Sequence, residues 1–593
     1  MMSIQYRLDF GRFYDHLCDV TIQFNSAEDA PSLSMVTWIA GSYLIREFAK
    51  NITQVSYTIA GDDRVYRANK SDKHTFRLVH AKAGDAITVQ YEIYCHDLSV
   101  RTAFVDQQRI FGNFSSLLLL IKNNQFTPAT IELFLSKNFT NIHKNCSIAC
   151  GLPHDIKHGD DGLTYQFAAM PSFEYLDYPF EIGTQDKFGF DVRDHAGRGI
   201  PHRAFIAGRH QADLTRLSHD LQKICQAYID WLGSAPFADY TFMTMVTGND
   251  YGGLEHINST ALVSPRSDLP SAAEPAVPSS DYQRYLGLCS HEYFHAWWVK
   301  TVKPDVMIDN PLIDEAYTPL LWVFEGFTSY FDDLMLLRAG VIDKESYLKL
   351  LAAQINRYLQ TDGKAHQSVA ESSFDTWIKL YRADENTANQ GVSYYNKGAL
   401  VAWLLDATLL ENSDGKYRLF DVVKAFYERA HGKPYGMTTD SLDEVISEMM
   451  GKDQWQAFYQ DYVIGTAPLP IGETLAKFGI DIKASTQTKP WGMTLDEKAS
   501  GLKIKHLHRN SQASKAGLSF NDVIIAINGL KASSALLNRQ IALQNTTGQA
   551  VQVHAFRRDE LMTFDVLTAD DDTPATTHKQ MSLSGNGGAW LVF

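Results

Sequence analysis

Hydrophobic spacing changes twice along this 593-residue chain, and that change limits the possible folds more than any other feature. Up to about residue 210, apolar residues alternate with polar ones: Val55, Tyr57 and Ile59; Ile87, Val89, Tyr91 and Ile93; Ile131, Leu133 and Leu135. A period of two with one apolar face belongs to half-buried antiparallel strands, and Gly61-Asp62 and Gly84-Asp85 supply turns between them. From Leu214 the spacing becomes three and four, through Leu217, Leu221, Ile224, Tyr228 and Leu232, and ends at Gly233. That is an amphipathic helix with a glycine past its end. A strand-like run at 240–246 follows, then helical patterns to about residue 465, one of them with Leu348, Leu351, Ile355 and Leu359 on one face. Pro265 to Asp281 reads as an irregular surface loop. Strand patterns return near Glu473, as in Leu502, Ile504 and Leu507, then Val523, Ile525 and Ile527.

The expected architecture is therefore multidomain α+β. A β-sandwich-like domain covers 1–210, a mainly helical domain 211–472 and a small β domain 473–572. A tail covers 573–593, and the polar, Gly/Ser-rich stretch from Asp570 to Gly588 is expected to be partly mobile.

Composition removes several function classes. Lys and Arg number 54 against 69 Asp and Glu, giving −15 at pH 7, which is the wrong sign for a protein whose main partner is nucleic acid or an anionic membrane. Six cysteines in this length make no disulfide framework, and Cys146, Cys150 and Cys289 read as plain thiols. The longest apolar runs, Leu117 to Ile121 and Ala399 to Leu410, fall short of a bilayer span. With no basic-then-apolar leader at the start, the expected location is the cytoplasm, or the periplasm if a leader is missing. Neither a Gly-x-Ser-x-Gly elbow nor a Walker loop is present.

The sharpest chemical signal is His291-Glu292-Tyr293-Phe294-His295. On a helix, positions i and i+4 share a face, so two imidazoles can bind one cation while the intervening glutamate takes a proton from water. Such a centre needs a third protein ligand. Glu325, set among Trp322, Val323, Phe324 and Phe327, is the candidate, because a carboxylate is costly to bury there unless a cation compensates it.

HEYFHAWW followed by WVFEGFTSYF resembles the gluzincin metallopeptidases, and more narrowly the glycyl-aminopeptidase family. That family has an N-terminal β domain, a thermolysin-like catalytic domain and a C-terminal PDZ domain. Trp38 to Arg46 (WIAGSYLIR) is similar to its N-terminal signature, and the resemblance runs over essentially the whole chain. It implies one Zn2+ on His291, His295 and Glu325, with Glu292 as general base. The 29 residues between His295 and Glu325 exceed the usual gluzincin aminopeptidase spacing, and are expected to form a loop near the cleft.

Tyr251-Gly252-Gly253-Leu254-Glu255-His256 is similar to the Gly-x-Met-Glu-Asn motif of gluzincin aminopeptidases, with His256 in place of Asn. The match implies that Glu255 holds the substrate's α-amine and that the Gly252 and Gly253 backbone approaches the peptide. Ser393 to Gly398 (SYYNKG) is similar to a Tyr-x-Lys-Gly motif, which assigns the oxyanion to Tyr395, with Tyr394 as competitor. Residues 511–529 resemble a PDZ stretch, and Pro490-Trp491-Gly492-Met493 is the candidate carboxylate-binding loop. The implied activity is a zinc aminopeptidase favouring small N-terminal residues such as Gly or Ala. Its partners would be peptides with a free N-terminus, and a peptide or C-terminus at the PDZ domain. A zinc endopeptidase on the same site and a PDZ-based binding protein on an inactive scaffold are the alternatives.

Overall fold

The computed structural model describes residues 4–124, 126–569 and 577–591. They fall into two compact units, Met1–Thr318 with Thr328–Asp343 and Leu419–Val445, and Pro319–Phe327 with Lys344–Arg418 and Ile446–Phe593.

The first unit opens with the expected β domain. An eight-stranded, mostly antiparallel sheet is built from strands between Ile4 and Pro171, joined by two four-stranded sheets. The alternation does what its period implies, since Val55, Tyr57, Ile87, Val89, Tyr91, Ile93, Ile131, Leu133 and Leu135 are all buried. A second, five-stranded sheet then begins earlier than expected. Its strands are β1 (Gln185–Arg193), β2 (Gly199–Ala207), β3 (Tyr240–Thr247), β4 (Gly252–Glu255) and β5 (Ser259–Pro265), in the order β1-β2-β3-β5-β4. The catalytic sheet thus starts near residue 185 and not at 211. Periodicity identifies a strand, but it cannot say which sheet the strand joins.

Helix α1 (Leu214–Leu232) follows β2. Asp213 accepts hydrogen bonds from the Thr215 and Arg216 amides at its start, and Gly233, at φ 86°, closes it. Helix α2 (Ser280–Phe294) carries the HExxH segment in its last turn, with His295 just past it. The Tyr228 hydroxyl on α1 shares a hydrogen bond with Ser290 Oγ, and Tyr285 does so with Thr244 Oγ1 on β3, so α2 is fixed to both neighbours.

One element is shared by the two units. Trp322–Gly326 is a π-helical turn that runs directly into α3 (Phe327–Arg338). The second unit continues with α4 (Lys344–Leu359), on which Leu348, Leu351 and Ile355 are buried, and with α5 (Asn396–Asn412). Its PDZ sheet has a buried core that includes Leu502, Ile504, Ile524, Ile527, Val553 and Phe564. Here the expected Val523, Ile525 and Ile527 face is wrong. A bulge between Ile524 and Ala526 shifts the register, so Ile524 and Ile527 point inward.

The C-terminal segment is also corrected. Thr577–Gly585 pairs antiparallel with Ile480–Thr488, and Asn356 on α4 bonds to Met581 through both of its amide atoms. Trp590 is fully buried against Tyr347, Trp403 and Phe478. Its polar flanks hid the strand from a composition reading; residues 570–576 lie outside the described residues.

Candidate active site

His291 Nδ1 lies 3.0 Å from Asp332 Oδ2 on α3, and Ser290 Oγ donates to the Asp332 carbonyl at 2.9 Å. His295 Nδ1 lies 2.9 Å from the Trp298 carbonyl. Carboxylate and carbonyl partners on both Nδ1 atoms fix the tautomers and make Nε2 the ligating nitrogen of each ring. Asp332 escaped the sequence reading, although it stands seven residues beyond Glu325 on the same helical segment.

Glu325 sits in the π turn, where every residue is buried. Single π turns recur at functional sites because the extra residue re-aims side chains. Gly326 follows it for a packing reason: a Cβ there would come within 2.7 Å of the Gly398 carbonyl carbon at the start of α5. Ligand atoms of His291, His295 and Glu325 all lie within 4.8 Å of one another, a group able to hold a metal ion. Two neutral imidazoles and one carboxylate suit zinc.

A second close group is Glu255, Glu292 and His295, again within 4.8 Å. As a ligand set it is the poorer one, because it would leave unused His291, whose ring Asp332 orients. Strand β4 brings Glu255 there from the edge of the catalytic sheet, paired antiparallel to β5. Glycines allow the approach. A Cβ on Gly253 would overlap the Glu292 carboxylate, and one on Gly41 would overlap that of Glu255. Gly41, at φ 95°, lies in the WIAGSYLIR segment of the β domain. That segment is held in turn by the long insertion after His295: the Thr37 amide donates to the Leu312 carbonyl at 2.8 Å, the Thr37 hydroxyl reaches the Ile313 carbonyl, and Trp38 Nε1 donates to the Asp314 carbonyl at 3.1 Å. The insertion therefore braces the segment that lies against Glu255. Glu255 is 3% exposed, and its Oε1 has no hydrogen-bond partner among the described residues.

His256, the departure from the motif, is fully buried. Its Nδ1 meets Asp177 Oδ1 at 3.3 Å, and Lys300 Nζ donates to the same oxygen at 2.7 Å. Burial would raise the Asp177 pKa, yet Lys300 and His256 hold it at about 2. Burial lowers the His256 pKa despite Asp177, so the contact is that of a neutral ring at pH 7. This network ties the β domain, strand β4 and the loop after His295 together.

In the second unit, Tyr394 is fully buried, its hydroxyl shares a hydrogen bond with Thr376 Oγ1 at 3.0 Å, and burial raises its pKa well above the usual phenol value. Tyr395 is half-buried at the entry to α5, stacked on Tyr394 and 3.2 Å from the Tyr381 hydroxyl. In the candidate PDZ loop the side chains pack inward. Trp491 and Met493 are 1% exposed in the PDZ core, Trp491 Nε1 donates to Gln544 Oε1, and the Gly492 amide donates to the Lys489 carbonyl. Among the described residues no helix is long and apolar enough to cross a membrane.

Comparisons with known proteins agree with this organisation. Residues 5–184 match the peptidase M61 N-terminal domain, 284–401 the M61 glycyl aminopeptidase and 479–555 the PDZ domain. An aminopeptidase N family protein from Idiomarina loihiensis is 34% identical over 100% of both chains, with a TM-score of 0.88. Aminopeptidase A from Legionella pneumophila is 12% identical over 98% of this chain and 58% of that one, at TM-score 0.50, a likeness of fold. A search of curated proteins returned no match. With two domains of one family in sequence and a full-length relative above 30% identity, the chain belongs to the M61 glycyl aminopeptidase family and is an aminopeptidase.

Proposed function

We propose that this enzyme removes the first residue of peptides that present a free α-amine, with preference for small residues such as glycine or alanine. The observation that carries the exopeptidase reading is the approach of the Glu255 and Glu292 carboxylates to within 4.8 Å. In an N-terminal residue the amine nitrogen and the scissile carbonyl carbon lie two bonds, about 2.5 Å, apart. An amine on Glu255 therefore brings the first carbonyl, and no later one, to Glu292.

His291, His295 and Glu325 are the residues that would hold one zinc ion, which supplies Lewis acidity towards a water and a carbonyl oxygen. Glu292 takes the proton of the attacking water and returns it to the leaving amine nitrogen. Tyr395 donates its hydroxyl hydrogen to the carbonyl oxygen as charge gathers there. Its half-exposed position supports this role over Tyr394, which is sealed against Thr376. Family membership and the Gly41 backbone pressed on Glu255 support the preference for small residues. Strand Met493–Lys498, at one end of the PDZ sheet order, is proposed as the edge that receives an extended peptide.

Metal analysis paired with an aminoacyl-arylamide panel tests this. About one zinc per chain is expected from the ligand set, with Gly and Ala substrates turned over fastest and activity lost to a chelator and restored by zinc. Turnover that survives complete metal removal would refute the zinc assignment. A panel led by bulky residues would refute the size preference.

A further inference from the structure

Three other arginines of the first unit are matched by carboxylates: Arg109 by Glu181, Arg216 by Asp220 and Arg284 by Asp268. Arg101 is different. It projects from a turn of the β domain, and one guanidinium nitrogen, Nη2, donates to the Gly253 carbonyl at 3.0 Å. Nη1 would lie 3.8 Å from a Cβ on Gly252. Its Nε is enclosed with no hydrogen-bond partner, and no carboxylate pairs with it among the described residues. A cation with spare donors thus stands over the glycines of the catalytic edge strand.

The direction of a bound peptide follows from the same strand. Its amine belongs at Glu255 and its scissile carbonyl at Glu292, whose carboxylate lies against Gly253. The peptide therefore runs from Glu255 towards Gly252, antiparallel to β4. With the scissile carbonyl beside Gly253, the carboxylate of a dipeptide lies one strand residue, about 3.4 Å, further along, beside Gly252 and the Arg101 guanidinium, and that of a tripeptide one residue beyond it.

We propose that Arg101 receives the C-terminal carboxylate of short peptides, making free dipeptides and tripeptides the preferred substrate class. The proposal rests on the aminopeptidase reading above. The guanidinium keeps its bond to Gly253 and offers its remaining donors to the carboxylate in a charge-assisted pair. A longer peptide must pass this group without satisfying it.

The test compares dialanine with its C-terminal amide, and dialanine through pentaalanine, in the wild type, Arg101→Gln and Arg101→Lys. The wild type should cleave the free acid with a kcat/KM about tenfold or more above the amide, with most of the difference in KM, and efficiency should fall beyond the tripeptide. Arg101→Gln should bring the acid-to-amide ratio towards one, and Arg101→Lys should keep part of it. Equal handling of acid and amide by the wild type, or an unchanged ratio in the Gln variant, overturns the proposal. Should the Gln variant not fold, the wild-type ratio and the Lys variant decide alone. Alanine arylamide, which has no carboxylate, separates the two levels: if it too resists hydrolysis, the aminopeptidase reading fails and takes this proposal with it.

Discussion

Two glycine-bearing segments, the edge strand β4 in the first unit and the PDZ loop in the second, invite the same reading and have different surroundings. On β4, the Cβ that Gly253 lacks would overlap the Glu292 carboxylate, and Glu255 on the same strand carries an oxygen without a hydrogen-bond partner among the described residues. In the PDZ loop, the Cβ that Gly492 lacks would overlap Ser511 Cβ, and its own amide is already donated to Lys489. The first glycine makes room for charged groups, whereas the second makes room for packing. A glycine in a motif thus says that something comes close; only the chemistry of what comes close separates a site from a core.

The contrast can be broken by substitution. Glu292→Gln should retain metal and lose turnover by about 10²–10⁴-fold, the usual range for general acid–base loss; undiminished activity would remove the general-base role. Gly253→Ala should follow at roughly 10²-fold, because a displaced catalytic group of about 1 Å costs that much. By contrast, Gly492→Ala should lower stability by about 1–3 kcal/mol through overpacking, read as a shift in the denaturation midpoint, with arylamide kcat per folded molecule retained. Asp332→Asn should weaken zinc binding about 10–100-fold by loosening the His291 ring, measurable by chelator competition.

The smallest effect concerns pH. Asp177 has a folded pKa of about 2, below its unfolded value. Its contribution to stability is therefore complete above the unfolded carboxylate pKa and is lost as the pH falls through about 2. Asp177→Asn should flatten the stability profile between about pH 4 and 2. An unaltered profile would detach Asp177 from the network that holds β4.

Much of this was legible in the residues. The helix at 214–232 kept its bounds because spacing, cap and closing glycine agreed. HExxH announced its chemistry because two ligands lie one turn apart on one element. What remained hidden depended on distant partners. Asp332, Asp177 and Arg101 carry no local pattern and acquire roles only where other segments meet them, and Gly41, although inside a recognisable segment, shows its packing role only against Glu255. The start of the catalytic sheet at Gln185 was hidden for the same reason, since strands of two sheets share one period. The C-terminal strand was missed because its partner lies about a hundred residues upstream.

The central claim is that Glu255 fixes the amine one residue from the chemistry. It is tested most directly by comparing one alanyl peptide with its N-acetylated form on the zinc-loaded enzyme. The account expects the free peptide to lose only its first residue and the acetylated peptide to be cut at least about 10²-fold more slowly, as befits a lost charge-assisted anchor. Equal rates on the two peptides, or cleavage at an internal bond, would contradict it.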